Sequence, residues 1–146
     1  MSNVFDVAKY ILDTIGATSA MKLQKLVYYS QAWSLVWDDA PLFKSPFQAW
    51  ANGPVCRDLY DAHRGMFIVD SDDVATRTSK GELSKEQVET IDLVLKAYGD
   101  RSAQWLSDQT HAEEPWLMAR EGMRDSERGE REISLESIAE YYSSLS

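Results

Sequence analysis

Apolar residues occupy almost every face of the stretch 21–37, MKLQKLVYYSQAWSLVW. Leu23, Leu26, Val27, Trp33 and Trp37 follow helical spacing. Tyr28, Tyr29, Ala32, Leu35 and Val36 fill the other faces, and only Lys22, Gln24, Lys25, Ser30, Gln31 and Ser34 interrupt them. A surface helix shows one apolar stripe, so a helix that is apolar all round belongs inside a domain. The pattern predicts a central helix, capped by Thr18 or Ser19, with Leu23, Leu26, Val27, Trp33 and Trp37 buried.

The flanking patterns supply its neighbours. Val4, Phe5, Ala8, Ile11, Leu12 and Ile15 form an apolar stripe that starts after Asn3, with Asp6 placed for a capping box, and stops at Gly16. The short link predicts that this helix packs beside the central one. Alternation over residues 47–51 predicts a strand. Asn52-Gly53-Pro54 reads as a tight turn, with Pro54 at the first turn of a third helix that carries Val55, Leu59 and Tyr60 and stops at Gly65. Residues 66–83 predict one or two short strands that join residues 47–51 in a small sheet. Ser84 with Gln87 opens a helix whose face is Val88, Ile91, Val94, Leu95 and Tyr98. Ser102 caps a shorter helix, Pro115 opens another over 115–122, and Ser134 caps a last one with Leu135, Ile138, Tyr141, Tyr142 and Leu145. DSERGERE (125–132) is charged throughout and predicts a solvated loop. The expected fold is mainly α (α+β): a single compact domain over 1–146, built around one buried helix, with a two- or three-stranded antiparallel sheet.

Composition narrows the function. An apolar content of 44% in 146 residues supports one ordinary core. No run is long enough to cross a membrane, and the first residues lack the pattern of a signal peptide. Cys56 is the only cysteine, which suits a reducing cytoplasm. The net charge of −9 is carried entirely by the second part. Residues 1–64 hold six Lys/Arg and six Asp/Glu, whereas residues 65–146 hold nine and eighteen. A sequence pI near 4.6 argues against nucleic acid as a partner and favours a basic protein.

Candidate chemistry is sparse. Cys56, His63 and His111 are too few for a tetrahedral metal site, and no cofactor is expected. No nucleophile turn accompanies Cys56, and no phosphate-binding glycine motif occurs. Enzymatic function is therefore not expected. Gln24, Tyr28 and Gln31 share a face of the central helix and are either tied to the 52–54 turn or open to a partner. Thr110 or His111 is placed to hydrogen-bond the start of the helix that Pro115 opens and so fix the corner, with Trp116 expected to plug into the core. Trp50, Arg57 and Tyr60 are of the residue types that most often anchor protein interfaces.

Three segments, KLQKLVYYSQAW (22–33), PLFKSPFQAWANGPVCRDLY (41–60) and LSDQTHAEEPW (106–116), occur in the order and spacing of one family. The chain resembles the Panacea domain family of SocA-like antitoxins over residues 5–142. Lys22, Leu23, Gln24, Lys25, Tyr28 and Tyr29, then Trp50, Gly53, Pro54 and Val55, then Thr110, His111, Pro115 and Trp116 carry that likeness. The resemblance implies an antitoxin of bacterial and prophage genomes, encoded beside a toxin that it neutralises by direct contact. Two alternatives stand beside it: an adaptor that delivers a toxin or client to a protease complex, and a DNA-binding regulator. The last is disfavoured by an apolar central helix with only Lys22 and Lys25 to offer a groove. The residues expected to meet a partner are Gln24, Tyr28, Gln31, Trp50, Asn52, Arg57, Tyr60 and His111.

Overall fold

A computed structural model describes residues 2–146 of the chain. The long helix α2 (Ala20–Trp37) runs through its middle and buries every residue from Leu23 to Ala32. Ser19 caps its start by accepting from the Lys22 amide. Helix α1 (Val4–Ile15) lies against it, begun by a complete capping box between Asn3 and Asp6 and ended at Gly16. Helices α5 (Lys85–Tyr98), α6 (Ala103–His111) and α8 (Leu135–Leu145) cover its other faces. Each begins on a serine, Ser84, Ser102 or Ser134, whose hydroxyl accepts an otherwise orphaned amide. The fold is therefore α+β and mainly helical, with α2 as its axis.

Aromatic rings fill the space around that axis. Tyr29 stacks on Tyr98 with ring centroids 4.2 Å apart, and Tyr28 meets Phe47 edge-on at 5.2 Å. Tyr142 of α8 packs edge-on against both Tyr28 and Tyr29. The far end of α2 departs from the expected burial. Trp33 is half-buried and Trp37 is 45% exposed, stacked on Trp33 beyond the cover of the neighbouring helices. The Trp33 indole donates to the Tyr98 hydroxyl, which keeps its polar edge satisfied at the rim.

The small sheet corrects three expectations. Strand β2 (Phe47–Trp50) forms a hairpin with β3 (Gly53–Cys56), so Pro54 lies in a strand opposite Ala49 and does not start a helix. A proline fits there because β3 is an edge strand, where its missing N–H is not needed by a neighbour. The third helix, α3 (Arg57–His63), begins only afterwards. The other edge of β2 is filled by β5 (Glu132–Ile133), at the end of the charged run expected to be a solvated loop. Ile133 opposes Phe47 and buries its side chain, which draws the chain into the sheet. Residues 66–83 do not join β2. They give β4 (Ile68–Val69), paired with β1 (Thr18–Ser19), and a single turn, α4 (Asp72–Ala75). Helix α7 (Glu114–Ala119) carries Pro115 in its first turn.

Candidate functional site: the β2–β3 turn and its surroundings

Side chains from three helices hold the β2–β3 hairpin by its carbonyls. Arg120 donates from Nη1 to Ala49 at 2.8 Å, Trp116 from Nε1 to Trp50 at 2.8 Å, and His111 from Nε2 to Ala51 at 2.9 Å. Ser107 donates to Asn52 at 2.8 Å, and Lys25 reaches Pro54 from α2 at 3.2 Å. Five turn carbonyls are thus fixed by five different side chains. Because a carbonyl only accepts, the His111 Nε2 must carry a proton. The His111 ring also packs on Trp116, centroids 4.2 Å apart. The expected corner over 110–116 is therefore a clamp on the turn, which explains why Thr-His-x-x-x-Pro-Trp and Trp-x-x-Gly-Pro-Val occur together.

Arg120 also closes a loop. Its Nη2 donates to the carbonyls of Arg124, Asp125 and Glu127, and its guanidinium lies 5.1 Å from the Trp116 ring. A lysine keeps the charge but not the planar fork. Arg120→Lys should lose about 2 kcal/mol in thermal or urea denaturation, since hydrogen bonds to charged groups contribute about 1.5–3 kcal/mol each.

Gln24, Tyr28 and Gln31 lie inside, which corrects their reading as residues open to a partner. Gln24 accepts the Cys56 amide at 2.9 Å, and its Nε2 lies 3.2 Å from the Cys56 carbonyl and 2.9 Å from His63 Nε2. With the Gln24 oxygen fixed by that amide, His63 Nε2 is the acceptor and the proton sits on Nδ1. Gln31 donates to Phe43 and accepts from the Leu42 amide. Both glutamines therefore tie loops to α2, although not the 52–54 turn. The Tyr28 hydroxyl lies 3.2 Å from that of Tyr142, and its ring is only 1% exposed.

Two ionisable groups whose burial the sequence reading did not foresee sit beside this framework. Lys25 is 1% exposed, and burial pulls its ammonium down to about 7. Its presence in a helix that is apolar all round was the available signal: one such lysine has to lie inside. Glu113 is buried as well, accepting from Tyr29 at 2.8 Å, Tyr142 at 2.7 Å and Gln109 at 3.3 Å. Desolvation raises its carboxyl above the usual carboxylate range, against the lowering effect of those donors.

The outer side of the turn is aromatic. Trp50 and Tyr60 meet edge-on at 4.9 Å, and the Arg57 guanidinium lies 5.9 Å from both rings. Arg64 lies 5.7 Å from the Tyr60 ring. Trp50, Arg57, Tyr60 and His111 are half-buried and Asn52 is exposed. Below Tyr60 the chain turns, with the Met66 amide bonded to the His63 carbonyl, and enters β4. There Met66, Phe67 and Ile68 are exposed, Phe67 at 79%, and the Phe67 carbonyl accepts from the Ala20 amide at the start of α2, where Met21 is exposed too. The four consecutive apolar residues after Gly65, without any period, were the sequence signal for this patch.

Among the described residues, no cluster of three or more His, Cys, Asp or Glu is placed to hold a metal ion, and no helix is long and apolar enough to cross a membrane. Burial pushes the Cys56 thiol up to about 11, away from the thiolate that nucleophilic chemistry requires. The arrangement defines a mainly helical α+β domain whose buried polar groups clamp a hairpin turn and leave an aromatic and apolar face beside it. The chain belongs to the family described as antitoxin SocA-like, Panacea domain, whose model matches residues 23–117. That stretch runs from the first turns of α2 to the Trp116 clamp, shorter than the 5–142 expected from the motifs. No curated protein and no solved structure matches the chain.

Proposed function

We propose that this chain is an antitoxin that neutralises a cognate protein toxin by direct, non-catalytic binding. The contact falls on Trp50, Asn52, Arg57 and Tyr60 together with Met66–Ile68. The observation that supports it is Phe67, 79% exposed while Phe43 and Phe47 are buried; its carbonyl accepts from the Ala20 amide, and Ala20 and Met21 line one cavity with Trp50 and Tyr60. Exposed apolar patches of this kind mark interaction sites, and Trp, Tyr and Arg supply the residues that anchor them. His111 acts on this face indirectly, by holding the turn that presents Trp50 and Asn52. The excess of carboxylates after residue 64 favours a basic partner, and the single, unpaired Cys56 suits the cytoplasm. The domain works as one unit over 1–146.

Co-expression with the product of the adjacent gene tests this reading. The neighbour should stop growth alone, and this chain should restore it while co-purifying in a stable complex. A harmless neighbour, or one still toxic beside this chain, would rule the reading out. Toxin half-life separates sequestration from delivery to a protease: sequestration leaves the half-life unshortened.

A further inference from the structure

We propose that the cavity beside Lys25 is a carboxylate-binding site, in which the Lys25 ammonium pairs with a carboxylate that enters from solvent past Met21 and Asn52. The cavity measures about 140 Å³ and lies between α2, the β2–β3 turn and α3, with Trp50 and Tyr60 among its walls. An apolar cavity of about 150 Å³ takes up a benzene-sized molecule, so a carboxylate with a short carbon stem fits. Met21 and Asn52 are exposed, which puts the opening at the surface.

The wall of this cavity holds an amine with unfilled donors and no counter-ion. An ammonium has three donors, and Lys25 uses one, on the Pro54 carbonyl. No carboxylate among the described residues lies within ion-pair distance of Lys25. The other base on the wall, His63, has its Nε2 occupied by Gln24 and is held neutral by burial and by the nearby lysine. Removing a buried charge from water without a counter-ion is costly, so such a group is either paired or gives up its proton more readily; Lys25, unpaired, does the second, and an entering carboxylate would hold it as the ammonium. Lys25 cannot relieve this by swinging away, because it is packed over Gly53: a Cβ there would lie 2.6 Å from its Cε. A carboxylate in the cavity supplies the missing acceptors and the missing charge at once. The chemistry is the same whether the carboxylate is a chain terminus or an Asp or Glu side chain. The site does not rest on the proposed antitoxin role, and its test requires no toxin.

The protein, with lysines labelled at 13Cε and uniformly with 15N, is titrated at constant ionic strength with acetate, and with chloride as the control. Two further probes are a short peptide with a free C-terminus and an amidated peptide with one internal Asp. Acetate should move the Lys25 13Cε resonance and the Trp50 and Asn52 signals along one saturating curve, which chloride does not reproduce. In Lys25→Met, binding should weaken at least tenfold. Whichever peptide saturates the same signals more tightly identifies the source of the carboxylate. Linear, non-saturating shifts with acetate and both peptides, equal shifts with chloride, or unchanged binding in Lys25→Met would overturn the proposal. The Lys25 resonance of the unsubstituted protein decides the matter even if Lys25→Met fails to fold.

Discussion

Gly53→Ala should lower stability by about 3–4 kcal/mol, a fall on the order of 10 °C in melting temperature for a chain of this size. Two effects add. Gly53 has φ +118°, a backbone conformation that L side chains rarely adopt. A Cβ there would also lie 2.6 Å from Lys25 Cε and 2.8 Å from Thr110 Oγ1, and both neighbours are buried. Thr110 is held in turn by its bond to the Ser107 carbonyl, and Ser107 holds Asn52. Relief at one contact therefore disturbs the clamp at another. A loss below about 1 kcal/mol in urea denaturation would mean that the turn is looser than these contacts require.

Glu113→Ala should cost about 2–4 kcal/mol, because it leaves the Tyr29 and Tyr142 hydroxyls without their carboxylate acceptor in the aromatic core. Glu113→Gln should cost much less, since its amide oxygen still accepts from both tyrosines. The pair differ in pH dependence too. Burial raises the Glu113 carboxyl, so the folded protein binds that proton more tightly than the unfolded chain. The stabilisation from this group is fully present below the unfolded pKa and is lost as pH rises through the raised folded value. Glu113→Gln should remove that decline from the stability profile. An unchanged decline in Glu113→Gln would assign the pH dependence to other groups.

Helix starts were legible because each carries its own local signal. Asn3 with Asp6, Ser84 with Gln87, and Ser102 and Ser134 all cap the helices they announce. The strands were less legible because tertiary partners make them. Pro54 after Gly53 carries the local signature of a helix start, yet pairing with Ala49 holds it extended. Ile133 becomes a strand only because the free edge of β2 and a place opposite Phe47 await it. Periodicity overestimated burial at Trp37, since spacing tells which face a residue shares but not where the covering helices stop. At the site, Trp50, Arg57 and Tyr60 were readable as a group from residue type. Gln24 and Gln31 were readable as polar residues in need of partners, but their partners, Cys56, Phe43 and Leu42, lie in segments whose approach only the fold defines. Glu113, whose place just before Pro115 carries no local sign of burial, is the acceptor at the centre of the tyrosine cluster.

The proposed contact face stands or falls on whether its exposed residues, rather than exposed apolar residues in general, carry neutralisation. Phe67→Asp and Arg57→Glu should each abolish rescue of cells that express the adjacent gene product, with melting temperatures close to that of the unsubstituted protein. Leu93→Asp, at a residue 53% exposed on α5 and outside the face, should rescue fully. Full rescue by Phe67→Asp and Arg57→Glu, or failure of Leu93→Asp in a folded protein, would contradict the assignment of this face.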